Sequence, residues 1–127
     1  MLAQFLNRYG QVKWRAGQYG LAERCFRVSV KLGGGGNALS NLGALLMDRH
    51  VFDEGFLCLV QAHEAEPLNV GALVNLANAY HRGGRADVAL DLYRRALQIR
   101  PDSVEASVNL MRTSLEMCEW QEVATNL

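Results

Sequence analysis

Three asparagines stand at equal intervals along this chain: Asn41, Asn75 and Asn109, each 34 residues after the last. A primary amide offers two N–H donors and a carbonyl acceptor, which complements the backbone of an extended peptide irrespective of its side chains. Asn is also a mediocre helix-interior residue, because its amide competes with the backbone for hydrogen bonds. Three at one helical position therefore ask for a reason. A row spaced by one repeat could hold a peptide along a groove, and the same amides could instead cap or bridge neighbouring repeats; ligand contact is the preferred reading. Asn78, His81, Arg82 and Arg112 join them on the expected inner face and make it mixed polar and mildly basic.

Other reactive types lack a partner. Ser29, Ser40, Ser103, Ser107 and Ser114 lie inside or beside helical patterns, without the strand-turn-helix setting of a nucleophile elbow. Asp53–Glu54 and Glu64–Glu66 fall at helix ends and outer faces. His50, His63 and His81 have no His-Glu-x-x-His spacing, and Cys25, Cys58 and Cys118 are odd in number with no Cys-x-x-Cys pair. Cys25 and Cys58 read as small, half-buried helix residues in a reducing compartment. The run Gly33 to Gly36 lacks the preceding strand and following Lys-Ser/Thr of a phosphate loop, so it reads as a flexible connector. No catalytic residue, cofactor or metal site is expected.

The elements that must carry the asparagines are clearest in Val70 to Ser103. Leu73, Leu76, Ala77 and Tyr80 keep i, i+3, i+4, i+7 spacing, and Ala89, Leu92, Tyr93, Ala96 and Leu97 resume it after a break at Gly83-Gly84-Arg85. Asp87 sits in the first turn of the second helix, and Pro101 ends that helix because it has no backbone donor. Asp91 and Arg95 are spaced to pair on the outer face. A helix hairpin follows, with one stripe of each helix against the other.

Sliding that hairpin by 34 residues lays Val70 onto Gly36 and onto Val104. Asn41-Leu42-Gly43, Asn75-Leu76-Ala77 and Asn109-Leu110-Met111 superpose, as do Gly55, Ala89 and Val123, Ala62 and Ala96, and Pro67 and Pro101. Upstream, Leu6, Gly10, Tyr19, Ala22 and Phe26 give another copy, one residue shorter. Small residues at repeat positions 8, 20 and 27, an aromatic at 24 and Pro at 32 resemble the tetratricopeptide repeat, whose period agrees. The resemblance implies an all-α, right-handed superhelix: a solenoid of stacked antiparallel hairpins, about three and a half repeats in a single domain over 1–127. The repeats run at about 3–35, 36–69, 70–103 and 104–127, the last cut inside its second helix. It also implies a concave side built from the first helices of each hairpin, which is where the asparagines fall.

Lys plus Arg and Asp plus Glu are 13 each, so no net field would recruit nucleic acid or an anionic membrane. No signal peptide and no run of 18 apolar residues is present, which reads as a soluble, cytoplasmic protein. The last repeat leaves an apolar stripe uncovered; terminal repeats normally carry a polar cap, so the chain is expected to continue past Leu127, and otherwise to self-associate through its last helix.

The asparagine ladder, with PDSVEASVNLMRTSLEMCEWQEV, resembles the repeat arm of the O-linked N-acetylglucosamine transferase family and its SPINDLY branch, where a Cys-Asp-Trp element follows the final Asn-Leu helix. Here it reads Cys118-Glu119-Trp120. The resemblance implies presentation of a protein substrate by Asn41, Asn75 and Asn109, with the catalytic domain absent from this chain. A carboxylate-capturing chaperone adaptor would need basic residues where Asn7, Gly71 and Asn75 stand, so apart from Asn41 that match fails. The expectation is therefore a non-catalytic module that binds a peptide or protein partner in its groove, in the context of a protein O-glycosyltransferase; the alternative is a free-standing scaffold for assembly of a bacterial complex.

Overall fold

The computed structural model describes the backbone of residues 1–126 and the side chains of residues 1–119. Among the described residues the chain is seven helices and no strand: α1 (Leu2–Arg15), α2 (Tyr19–Lys31), α3 (Gly35–Asp48), α4 (Phe52–Ala65), α5 (Val70–Arg82), α6 (Ala86–Ile99) and α7 (Val104–Asn126). They pair as the hairpins α1/α2, α3/α4 and α5/α6, with α7 stacked on α6. The all-α solenoid follows from the 34-residue period.

Within each hairpin the chain reverses through one left-handed residue, Gly17 (φ 81°), His50 (φ 65°) and Gly84 (φ 83°), at the same repeat position. Glycine adopts that conformation without a Cβ clash, and histidine is among the side chains that tolerate it. Between hairpins, Pro67 and Pro101 lie just beyond α4 and α6, and the residue two places on caps the next helix: Asn69 Oδ1 accepts from the Ala72 N–H (3.1 Å) and Ser103 Oγ from the Ala106 N–H (3.3 Å).

Close approach inside the hairpins explains the small residues. A Cβ on Gly43 would lie 2.7 Å from Leu59 Cγ and 2.9 Å from the Gly55 carbonyl, and one on Gly10 would lie 2.6 Å from the Phe26 ring. Ala22, Ala62, Ala77, Ala89 and Ala96 are fully buried for the same reason. The core continues through two apolar clusters. Phe26, Leu42, Leu45 and Leu46 fill the first, with Trp14 against it, and Leu59, Leu73, Val74, Leu76 and Tyr93 fill the second.

Four expectations are corrected. The glycine run is a packed turn: Gly35 and Gly36 already belong to α3, a Cβ on Gly34 would lie 2.5 Å from Ser29 Oγ, and Gly36 is buried under the Glu66 carboxylate that its N–H meets at 3.2 Å. Cys25 and Cys58 are buried, Cys25 against Gly10 of α1 and Cys58 in the apolar cluster with Leu42, Leu45 and Leu46 of α3. Asp91 faces Arg94 at 3.9 Å, one residue short of Arg95. The fourth repeat does not turn. Its reversal position is Cys118, an ordinary residue where Gly or His stands earlier, and α7 runs straight through it.

Candidate functional site: the inner face of the first helices

The odd-numbered helices approach backbone to backbone in succession, α1 to α3, α3 to α5 and α5 to α7, while among the described residues the backbones of the even-numbered ones stay apart. A stack in which one row of helices is close and the other splayed curves toward the close row. The odd helices therefore line the inner face, and the three asparagines lie on it, one each on α3, α5 and α7.

Each asparagine spends one N–H on the preceding odd helix. Asn41 Nδ2 donates to Asn7 Oδ1 on α1 (2.8 Å), Asn75 Nδ2 to Ser40 Oγ on α3 (2.7 Å), and Asn109 Nδ2 to Asn78 Oδ1 on α5 (3.3 Å). Asn78 Oδ1 also accepts from the Tyr93 hydroxyl, and burial pushes that phenol above its ordinary pKa. The bridging role weighed from the sequence is thus present in the structure. One N–H and the carbonyl oxygen of Asn41 and Asn75 are left over by that bridge; on Asn109 the carbonyl oxygen accepts from Arg112 at 2.6 Å.

The remaining predicted residues gather at the α5–α7 end. Asn78, His81, Arg82, Asn109 and Arg112, with Glu105, line a recess of about 310 Å³. Asn75, Asn78 and Arg82 also line an adjoining recess of about 160 Å³ floored by Trp14, Met47 and Leu59. Asn41 lines neither. At this end polar groups are already partnered: Arg82 donates to Asp48 (2.8 Å), Arg112 to the Asn109 carbonyl, and His81 Nε2 lies 2.7 Å from Glu116 Oε2. The face is consequently near-neutral and rich in fixed hydrogen-bonding groups, and suits a polar, uncharged ligand surface better than a free anion. Among the described residues no group of three or more His, Cys, Asp or Glu side chains could hold a metal ion, and no helix is long and apolar enough to cross a membrane.

Sequence reasoning missed the acceptors Asn7, Ser40, Asp48 and Glu116. The signal was available: Asn7 to Asn41 and Asp48 to Arg82 are 34 residues apart, Ser40 to Asn75 and His81 to Glu116 35. Polar complements one period apart face each other across successive odd helices. It also missed a roomier apolar recess of about 790 Å³, lined by Phe52, Phe56, Val60 and Tyr80 between α4 and the end of α5.

On the outer side, Arg27 of α2 reaches Glu54 of α4 at 2.8 Å and Glu23 at 3.1 Å. Its guanidinium, held mainly by Glu54, has a raised pKa, and Arg27 in turn lowers that of Glu54. Both are substantially exposed, so this pair stitches neighbouring hairpins only weakly.

Comparison with known proteins agrees with this geometry. The family model for the tetratricopeptide repeat matches residues 42–104. The first such domain of human RPAP3 superposes with a TM-score of 0.83 at 17% identity, covering 95% of this chain and 96% of that one. The first such domain of Spaghetti (RPAP3), bound to the HSP90 peptide SRMEEVD, gives 0.79 at 18% identity, with 92% and 94% covered. The Arabidopsis OM64 domain gives 0.75 at 20% identity, with 87% and 93% covered. No curated protein sequence is similar enough to this chain to count as a match.

Proposed function

We propose that this tetratricopeptide-repeat chain is a non-catalytic binding module that holds an extended peptide along its inner face, with Asn41, Asn75 and Asn109 reading the peptide backbone. The observation that carries the reading is the tether on each asparagine. An amide fixed by one N–H to the preceding helix has lost its rotamer freedom before a ligand arrives, so it engages a backbone carbonyl or N–H at reduced entropic cost. The spacing supports it too, since one amide per repeat matches an extended backbone better than a compact ligand. Domains of the same fold take chaperone peptides in solved complexes, as with SRMEEVD. Here Asn7, Gly71 and Asn75 stand where a terminal carboxylate would need cations, so the peptide is held by its main chain and not by its end.

The test is a panning of displayed random peptides against the whole chain, followed by fluorescence anisotropy with the peptides recovered. Replacing Asn41, Asn75 and Asn109 together with Ala weakens them at least about tenfold, the equivalent of 1.4 kcal/mol, while amidating the peptide C-terminus changes little. Unchanged affinity in the triple variant refutes the ladder, and a strong dependence on the free carboxylate refutes the main-chain mode. The finer context, the repeat arm of a protein O-glycosyltransferase, rests on the ladder and on Cys118-Glu119-Trp120, of which the Trp120 side chain lies outside the described residues. Sequencing the coding region past Leu127 for a nucleotide-sugar-binding pattern tests it.

A further inference from the structure

We infer that the exposed face of α7 is a docking surface for α1 of a second copy of this chain, so that copies associate head to tail. Val104, Val108, Met111 and Leu115 follow i, i+4, i+7, i+11 spacing and so form one stripe on α7, and all four are between 48% and 75% exposed. Of their counterparts one and two periods back, Val70, Val74 and Ala77 on α5 and Gly36, Ser40, Gly43 and Met47 on α3 are buried, and His81 is half-buried against Glu116. In the α3/α4 hairpin Leu59 and Gly55 of the second helix pack on Gly43, and Asn75 of the next odd helix meets Ser40. Among the described residues α7 is one helix, Val104–Asn126, and no second helix packs on this stripe. Met111, moreover, stands where Gly10, Gly43 and Ala77 permit the tight approach of a hairpin's second helix.

The opposite end of the solenoid carries a matching stripe. Leu2, Phe5, Tyr9 and Val12 of α1 are exposed along one face, with the Phe5 and Tyr9 rings stacked at 6.1 Å. Charge selects this pairing over the symmetric ones. α1 has three basic residues, Arg8, Lys13 and Arg15, and no acid, hence +3. α7 as far as residue 119 has three acids, Glu105, Glu116 and Glu119, against Arg112, hence −3 + 1 = −2. An α1–α7 contact joins apolar stripes flanked by opposite charges, whereas α7–α7 or α1–α1 contacts join like charges. The contact is heterologous, so it propagates into open chains and does not close as a two-fold dimer.

Two blocked variants test it by sedimentation velocity and light scattering. Wild-type mass rises with concentration, and less so at raised salt, where exposed charges are screened. Phe5→Asp blocks the head and Met111→Asp the tail; both positions are exposed, and each variant is monomeric alone. Mixed, the two form a one-to-one dimer and nothing larger, because each supplies the surface the other lacks. Wild type that stays monomeric at its highest soluble concentration, either variant associating alone, or a mixture that stays monomeric with helix content intact by circular dichroism, each overturns the inference. Should either Asp variant lose helix, Phe5→Gln and Met111→Gln, polar, uncharged and compatible with a helix, replace the pair with the same expected pattern.

Discussion

The bond between Asn75 and Ser40 is the place to ask whether the asparagine row works as built. Asn75 Nδ2 donates to Ser40 Oγ at 2.7 Å across the α3–α5 contact, and Ser40 is 4% exposed. Asn75→Ala removes the bond, a net loss of about 0.5–1.5 kcal/mol, and leaves a buried hydroxyl. The hydroxyl can turn back to the carbonyl one helical turn earlier, which limits the extra penalty, so about 1–2 kcal/mol is expected overall. Ser40→Ala costs less, about 0.5–1 kcal/mol, because the half-buried Asn75 amide reaches water. The double variant should then fall short of the sum by about 1 kcal/mol, the coupling of the pair. Urea unfolding followed by circular dichroism on the four members of this cycle reads it, and anisotropy with a recovered peptide reads function on the same samples. Ser40→Ala keeps the amide but frees it, and should weaken the peptide by less than Asn75→Ala does. A coupling below about 0.3 kcal/mol would mean that the bond is not held in solution, and the claim of a pre-positioned amide would fail with it.

Two further outcomes are expected. Gly43→Ala should destabilise the chain by about 1–2 kcal/mol: overpacking against Leu59 and the Gly55 carbonyl costs about 1–3 kcal/mol, and the better helix propensity of Ala returns up to about 1. Gly20→Ala, with nothing within 4 Å of the added methyl, should be neutral or stabilising, so thermal melts that move both variants the same way would refute the close-packing account of the repeat's small residues. Towards a thiol reagent at neutral pH, exposed Cys118 should react in the folded chain while Cys25 and Cys58 wait for denaturant, because burial keeps both thiols protonated; three equally fast thiols would contradict their burial.

How far the sequence could be read depends on whether a feature repeats. Helix faces, hairpin turns and closing prolines recur at one period, so each position was seen several times, and the buried stripe at Leu73, Leu76 and Ala77 matches the structure. Features that occur once were not legible. The glycine run looked like a loose linker because no neighbour in sequence shows that Glu66, 30 residues later, lies over Gly36. The partners of the asparagines belong between the two cases. Asn7 and Asn41 are related by the period, but on different positions of their repeats, because the first repeat is one residue short; a position-by-position alignment therefore puts Arg8 in the row and hides the residue that bonds.

The same logic separates what the period explains about α7 from what it does not. Repetition requires Asn109 on the inner face and Ala106 in the packing against α6, and both are buried. It equally requires a cover over Val108, Met111 and Leu115, and here the local sequence departs: Cys118 stands where Gly17, His50 and Gly84 take the left-handed conformation, and α7 continues as helix through it. A stripe patterned for burial is thus left exposed among the described residues. In the proposed head-to-tail contact α1, apolar along one face and wholly basic in its charges, supplies the cover that the period calls for.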